Sequence, residues 1–191
     1  MAVVSTMLPL GTEAPDFSLV EPSGRVWTRY DFAGSPALLV MFICNHCPYV
    51  RHISAQLAVA TRQFSERGVG VVGINSNDIN THPGDAPERM AEEALAVGYA
   101  FPYLFDETQA VATAYRAACT PDFFLFDGNR TLVYRGQFDA SRPSDGKEVT
   151  GADLRNAIDA VLTGHPVSDD QRPSMGCNIK WKPGLAPDWA R

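Results

Sequence analysis

Leu38-Leu39-Val40-Met41-Phe42-Ile43-Cys44-Asn45-His46-Cys47-Pro48-Tyr49 runs from continuous apolar residues into two thiols three positions apart, with a proline directly after the second. The unbroken apolar stretch from Ala37 to Ile43 is what a strand covered on both faces requires. Beyond Pro48 the apolar residues Val50, Ile53, Leu57, Ala60 and Phe64 recur in steps of three and four, mostly with polar residues between them. That spacing predicts an amphipathic helix ending near Gly68. Gly70 to Ile74 is a second apolar strand, so the segment reads as strand, helix, strand with parallel pairing. The sulfurs sit where the first strand hands over to the helix.

Thiol reactivity follows ionisation. A free thiol, with a pKa of about 8.5, is mostly protonated at neutral pH, and helix N-termini lower that value. A helix end contributing about 1 kcal/mol, at about 1.4 kcal/mol per pKa unit, raises the thiolate fraction only several-fold. Hydrogen bonds to sulfur must supply the rest. Proline is favoured at the first helical position because its missing N–H is not needed there. Cys47 is therefore the expected N-cap, over the unpaired amides, with Cys44 upstream at the strand end. This makes Cys47 the expected nucleophile and Cys44 the resolving thiol. A four-residue turn brings its outer Cα atoms within about 7 Å, and a disulfide needs them about 4.4 to 6.8 Å apart. The pair can bridge and reopen. His46 either gives the thiolate a hydrogen bond or positive charge, or is a solvent-exposed ring without a role. His52, His82 and His165 read as incidental.

With 191 residues, 45% of them hydrophobic and 20% charged, the chain fits a single globular domain spanning 1–191. A net charge of −6 and a pI near 5.1 leave no basic face for phosphate backbones or anionic lipid, so neither nucleic acid nor membrane is an expected partner. No segment approaches the roughly 20 apolar residues of a membrane span. The stretch from Met1 to Leu8 lacks the cationic start of a secretory signal, so a cytoplasmic location is expected. In that reducing compartment paired thiols are more often catalytic or metal-binding than structural. Cys119 and Cys177 also fit the bland reading of small buried hydrophobes.

The flanks supply further elements. Ala14-Pro15-Asp16-Phe17-Ser18-Leu19 and Val26-Trp27-Thr28, joined through Pro22-Ser23-Gly24, predict an N-terminal hairpin. Residues 75–87 are polar and read as a loop. A helix then runs from Pro87 to about Val97 and stops at Gly98. Pro102 to Phe105 reads as a short strand and Thr108 to Tyr115 as a helix. Phe123 to Phe126 and Thr131 to Arg135 read as strands joined by Asp127-Gly128-Asn129. Asp153 to Leu162 carries helical spacing, and residues 165–191 read as a wrapped tail behind a core of about 11–164.

Together these residues resemble the thioredoxin-fold superfamily, in its peroxiredoxin-like (AhpC/TSA-related) branch. The resemblance is carried by Ala14-Pro15-Asp16-Phe17-Ser18-Leu19, Asp31-Phe32-Ala33-Gly34, the thiol segment, Phe101-Pro102-Tyr103-Leu104-Phe105-Asp106 and Thr120-Pro121-Asp122-Phe123-Phe124. It implies an α/β thioredoxin-like fold, a central mixed sheet flanked by helices. It also implies a cis proline at Pro121 facing the cysteines, and open backbone groups around Thr120 that position an extended substrate. Cys119 would then lie close to Cys47. The sequence departs from the thioredoxin pattern, whose second cysteine would fall on Val50. It departs from the peroxiredoxin pattern too, whose threonine is replaced by Cys44. The segment from Ser174 to Lys182 resembles an ending found in the same branch. Plain packing is its expected role, with Cys177 over the active site as an alternative resolving thiol.

Three functions compete on this basis. The leading one is a thiol-disulfide oxidoreductase acting on a protein or small-molecule disulfide, restored by a cellular thiol reductant and needing no cofactor. The second is an antioxidant thiol peroxidase, in which Cys47 becomes a sulfenic acid and Cys44 condenses with it. The third is a metal-binding module using Cys44, His46 and Cys47 with Cys119 or Cys177, although a second short-spaced ligand pair is missing.

Overall fold

Strand β4 (Ala37–Phe42) is buried along its whole length, and its two alternating faces explain the rest of the architecture. Ala37, Leu39 and Met41 pack with Leu57 and Phe64 of helix α1 (Pro48–Glu66) and with Leu154 and Ile158 of helix α4 (Ala152–Leu162). Leu38, Val40 and Phe42 face the opposite layer, against Tyr115, Phe124 and Phe126. Each Leu, Val, Met or Phe so buried stabilises the fold by about 1.5–3 kcal/mol, and a strand with two covered faces has no polar position to spare.

The computed structural model describes residues 2–190. The remaining elements are strands β1 (Ala2–Val4), β2 (Ser18–Val20), β3 (Val26–Thr28), β5 (Gly70–Asn75), β6 (Tyr103–Phe105), β7 (Cys119–Thr120), β8 (Asp122–Asp127), β9 (Leu132–Gly136) and β10 (Met175–Asn178). Helices α2 (Pro87–Val97) and α3 (Ala110–Ala114) complete the layers. The main sheet has the order β3-β2-β6-β5-β4-β8-β9. β4 runs parallel to β5, and β5 to β6, while β8 and β9 are antiparallel additions on the other side. This is the mixed sheet of the thioredoxin fold. The N-terminal hairpin forms as the sequence indicates, with Leu19 opposite Trp27, and joins the sheet through Val20 beside Phe105. Gly98 closes α2 with a left-handed backbone at φ 83°, which a residue without Cβ adopts at little cost.

The tail departs from expectation. It does not simply wrap: Met175–Asn178 forms β10 at the centre of a second sheet ordered β1-β10-β7. Four residues containing a glycine give no detectable period of their own, and partner strands decide their conformation. β10 lies along β7, with Cys177 opposite Thr120 and Asn178 opposite Cys119. Among the described residues, no helix is long and apolar enough to cross a membrane.

Candidate active site

β4 delivers the chain to Cys44, and α1 begins immediately after Cys47. Cys47 is the N-cap, with extended backbone (φ −68°, ψ 122°) and Pro48 in the first turn. The antiparallel register of β4 with β8, in which Phe42 faces Asp122, brings the segment before β8 to the same end of the sheet. The Thr120–Pro121 peptide there is cis. The carbonyl oxygen of Thr120 lies 3.0 Å from Cys47 Sγ and accepts its S–H when that thiol is protonated. Thr120 Oγ1 lies 3.2 Å from Cys44 Sγ. Thr120 thus touches both sulfurs, which are 0% and 2% exposed at Cys47 and Cys44.

The two thiols are driven apart in acidity. Cys47 is brought down to about 4, first by a hydrogen bond from the Cys44 thiol and then, against burial, by the amide and thiol of Cys177. The Val50 amide, inside the first helical turn, adds to this without the geometry of a full cap bond. Cys44 moves well upward, because it is the donor to Cys47, because it is buried, and because the Asp85 carboxylate is near. The two shifts oppose one another, favouring charge on Cys47 and the proton on Cys44.

The turn between the cysteines is clamped from a distant loop. Asp85, fully buried, accepts the Asn45 backbone N–H at 2.9 Å and the Asn77 side-chain amide at 2.8 Å. Its Oδ2 lies 2.6 Å from Nδ1 of His46. Burial pushes this carboxyl up, but the donors His46, Asn77 and Asn45 outweigh it and hold it below the usual aspartate range. His46 turns to Asp85 and stacks on His82, with ring centroids 4.9 Å apart. His82 is thus part of the surroundings of the site rather than incidental. Cys44, His46 and Asp85 each bring one metal-competent atom within 4.8 Å of the others. Among the described residues, the larger set of Cys44, His46 and Cys47 with Cys119 or Cys177 does not cluster in this way.

A second buried acid follows the cis proline. Asp122 has no exposed surface, and among the described residues neither carboxylate oxygen meets hydrogen-bond geometry with a donor. Burial pushes it up to about 7, although the Ser5 hydroxyl and the Ala118 amide face it and temper the shift. Cys119, also fully buried, donates to the Pro121 carbonyl at 3.5 Å. Its thiol is held well above the ordinary range by burial and then by the charge of Asp122.

The structure therefore gathers Cys44, Cys47, Thr120, Pro121 and Cys177, with Cys119 just behind them. It corrects one expectation outright. The backbone beside Thr120 is not open to an extended substrate, because β10 already occupies that edge. Sequence reasoning also missed Asp85 and Asp122. Asp122 adjoins Pro121 and was within reach of inspection, whereas nothing in the spacing of the 75–87 loop distinguishes Asp85 from its polar neighbours.

Fold and site together define a thioredoxin-fold thiol protein. The chain belongs to the AhpC/TSA family, whose sequence pattern matches residues 10–135. A solved structure of a hypothetical protein from Sinorhizobium meliloti 1021 is 54% identical, with TM-score 0.94, covering 95% of this chain and 99% of its own. The thiol-disulfide oxidoreductase ResA of Geobacillus kaustophilus is 26% identical over 130 residues, 65% of this chain and 67% of ResA. The thioredoxin domain of a thiol-disulfide oxidoreductase from Bacteroides vulgatus shares the fold at 17% identity, with TM-score 0.61, covering 79% of this chain and 99% of its own.

Proposed function

We propose that the protein is a thiol-disulfide oxidoreductase in which Cys47 attacks and Cys44 resolves. The Cys47 thiolate attacks one sulfur of a substrate disulfide, and the other substrate sulfur leaves as a thiolate. Cys44 then attacks Cys47 in the mixed disulfide, expelling the second substrate thiol and closing a Cys44–Cys47 bridge. A cellular thiol reductant reopens it. The observation that carries this reading is the placement of two buried sulfurs on one residue, Thr120, whose Oγ1 is 3.2 Å from Cys44 and whose carbonyl is 3.0 Å from Cys47 at the N-cap of α1. The pKa of Cys47 is lowered to about 4, and that of Cys44 is held well above the ordinary thiol range. Thr120 Oγ1 favours charge on Cys44 when its turn to attack comes. The protein acts in the cytoplasm on this reading, and neither nucleic acid nor membrane takes part.

The burial of Cys47 favours a second reading, thiol peroxidase. Cys47 has no exposed surface, which suits a small oxidant better than a bulky disulfide. Both routes end in the same bridge, so the oxidant separates them. Pre-reduced protein is mixed with a model disulfide or with hydrogen peroxide, the rate of bridge formation is followed, and the bridge is located by mass mapping. Faster reaction with the disulfide and a Cys44–Cys47 bridge support the leading reading. Cys47→Ser protein retaining full activity would remove its basis.

A further inference from the structure

We propose that Cys177 is a third redox thiol of this site, through which a low-molecular-weight thiol regenerates the buried Cys44–Cys47 pair. The proposal rests on the exchange chemistry given to that pair above.

Access is the first argument. Cys44, Cys47 and Cys119 are 2%, 0% and 0% exposed, so with β10 in place a thiol from solution meets Cys177 ahead of a Cys44–Cys47 bridge. Cys177 is the one cysteine of the four with appreciable surface. Proximity is the second. Cys177 stands opposite Thr120, whose carbonyl is 3.0 Å from Cys47 Sγ, and packs against the cluster that contains Cys44 and Cys47, where its amide and thiol lower the pKa of Cys47. The one partly exposed sulfur thus lies beside the nucleophile.

The tail is anchored on both sides of this position. Upstream, Ser174 Oγ donates to the Gly136 carbonyl at 2.5 Å, and the Ser174 carbonyl accepts the Ser5 amide at 2.9 Å. Downstream, the Lys180 amide donates to Asn77 Oδ1 and the Lys182 amide to Gln109 Oε1, each at 2.8 Å. Between them Gly176 lies so close to Thr120 that a Cβ would stand 1.9 Å from its carbonyl oxygen. Packing alone would be served by any small side chain at residue 177. A sulfur held in register with the nucleophile has a chemical use.

Electrostatics times the step. In the reduced protein, burial and then the neighbouring Cys47 sulfur hold the Cys177 thiol up at about 11, while Lys180 acts in the opposite direction. Once Cys47 is bound in a disulfide its negative charge is gone, and ionisation of Cys177 becomes easier. Cys177 thiolate then attacks Cys47 Sγ. The S–S bond between residues 47 and 177 forms, the bond between 44 and 47 breaks, and Cys44 leaves as a thiolate that takes up the proton lost by Cys177. An external thiolate attacks Cys177 Sγ and releases Cys47 as a thiolate. A second external thiolate attacks the external sulfur of the resulting mixed disulfide and frees Cys177, which is reprotonated. Two thiols become one disulfide, and the chain gains two electrons.

Glutathione is the probe. Cys44→Ser protein treated with oxidised glutathione is expected to release two equivalents of glutathione and to show a Cys47–Cys177 bridge on mass mapping. Stopped-flow reduction of the oxidised, otherwise unaltered protein by glutathione is expected to slow at least tenfold in Cys177→Ser. Persistence of a Cys47–glutathione adduct in Cys44→Ser, or reduction of Cys177→Ser within twofold of the unaltered protein, overturns the proposal and leaves the parent reading standing. If the unaltered protein never forms a Cys44–Cys47 bridge, the parent reading falls and the relay falls with it.

Discussion

The sulfur of Cys47 lies 3.0 Å from the carbonyl oxygen of Thr120, a residue 73 positions further along the chain. The contact follows from strand order. β4 and β8 are antiparallel neighbours, so the end of one and the beginning of the other share an edge of the sheet. The two thiols and the cis Thr120–Pro121 peptide meet at that edge, and β10 pairs along β7 beside them.

The first prediction concerns the proton between the two central thiols. The thiolate absorbance of Cys47 in the ultraviolet is expected to titrate near 4, and the thiolate-dependent rate to stay level from there up to neutral pH. Cys44→Ala removes the principal donor. A hydrogen bond to a charged group contributes about 1.5–3 kcal/mol, and a pKa unit is about 1.4 kcal/mol. The midpoint should rise by about one to two units. An unmoved midpoint would show that Cys44 is not the donor.

The second prediction tests the covering strand. Gly176→Ala places a methyl group against the Thr120 carbonyl oxygen, which is backbone and cannot swing aside. Overpacking of this kind costs about 1–3 kcal/mol, and displacement of β10 is the simplest relief. Modification of Cys47 by a thiol-reactive dye should accelerate at least tenfold, with the far-ultraviolet circular dichroism of the main sheet retained. Equal dye rates in the two proteins would mean that β10 does not limit access.

A third prediction turns on Asp122. Its folded pKa, about 7, is above the ordinary aspartate value of 3.8, so between those values the folded state binds more protons than the unfolded state. Stability from this group is therefore fully present below pH 3.8 and is lost as pH rises through about 7. Three units correspond to about 4 kcal/mol. Asp122→Asn carries no such charge, so in urea titrations its stability relative to the unaltered protein should improve by about that amount between pH 4 and pH 8. A parallel pH dependence in the two proteins would show that Asp122 does not titrate in this range.

Much of the framework was legible because local rules and burial agree there. The stripe of α1, the hairpin around residue 22, the stop at Gly98 and the N-cap position of Cys47 each rest on residues close together in sequence. Cys47 owes its place to Pro48, a one-residue relationship. The small strand β10 was not legible, since Met175-Gly176-Cys177-Asn178 carries no period and is extended only because β1 and β7 flank it. Asp85 stayed hidden for a similar reason. An acid in a polar loop looks solvated until the fold carries that loop over the Cys44–Cys47 turn and buries it.

The amino-acid sequence by itself determined a thiol pair at a strand-to-helix junction and an α/β scaffold to carry it, because hydrophobic periodicity and helix capping act over a few residues. Only the tertiary structure decided which groups meet the sulfurs. Thr120, Asp85 and Cys177 reach the site through strand pairing and loop burial, and those long-range contacts set the polar surroundings and the exposure of each sulfur.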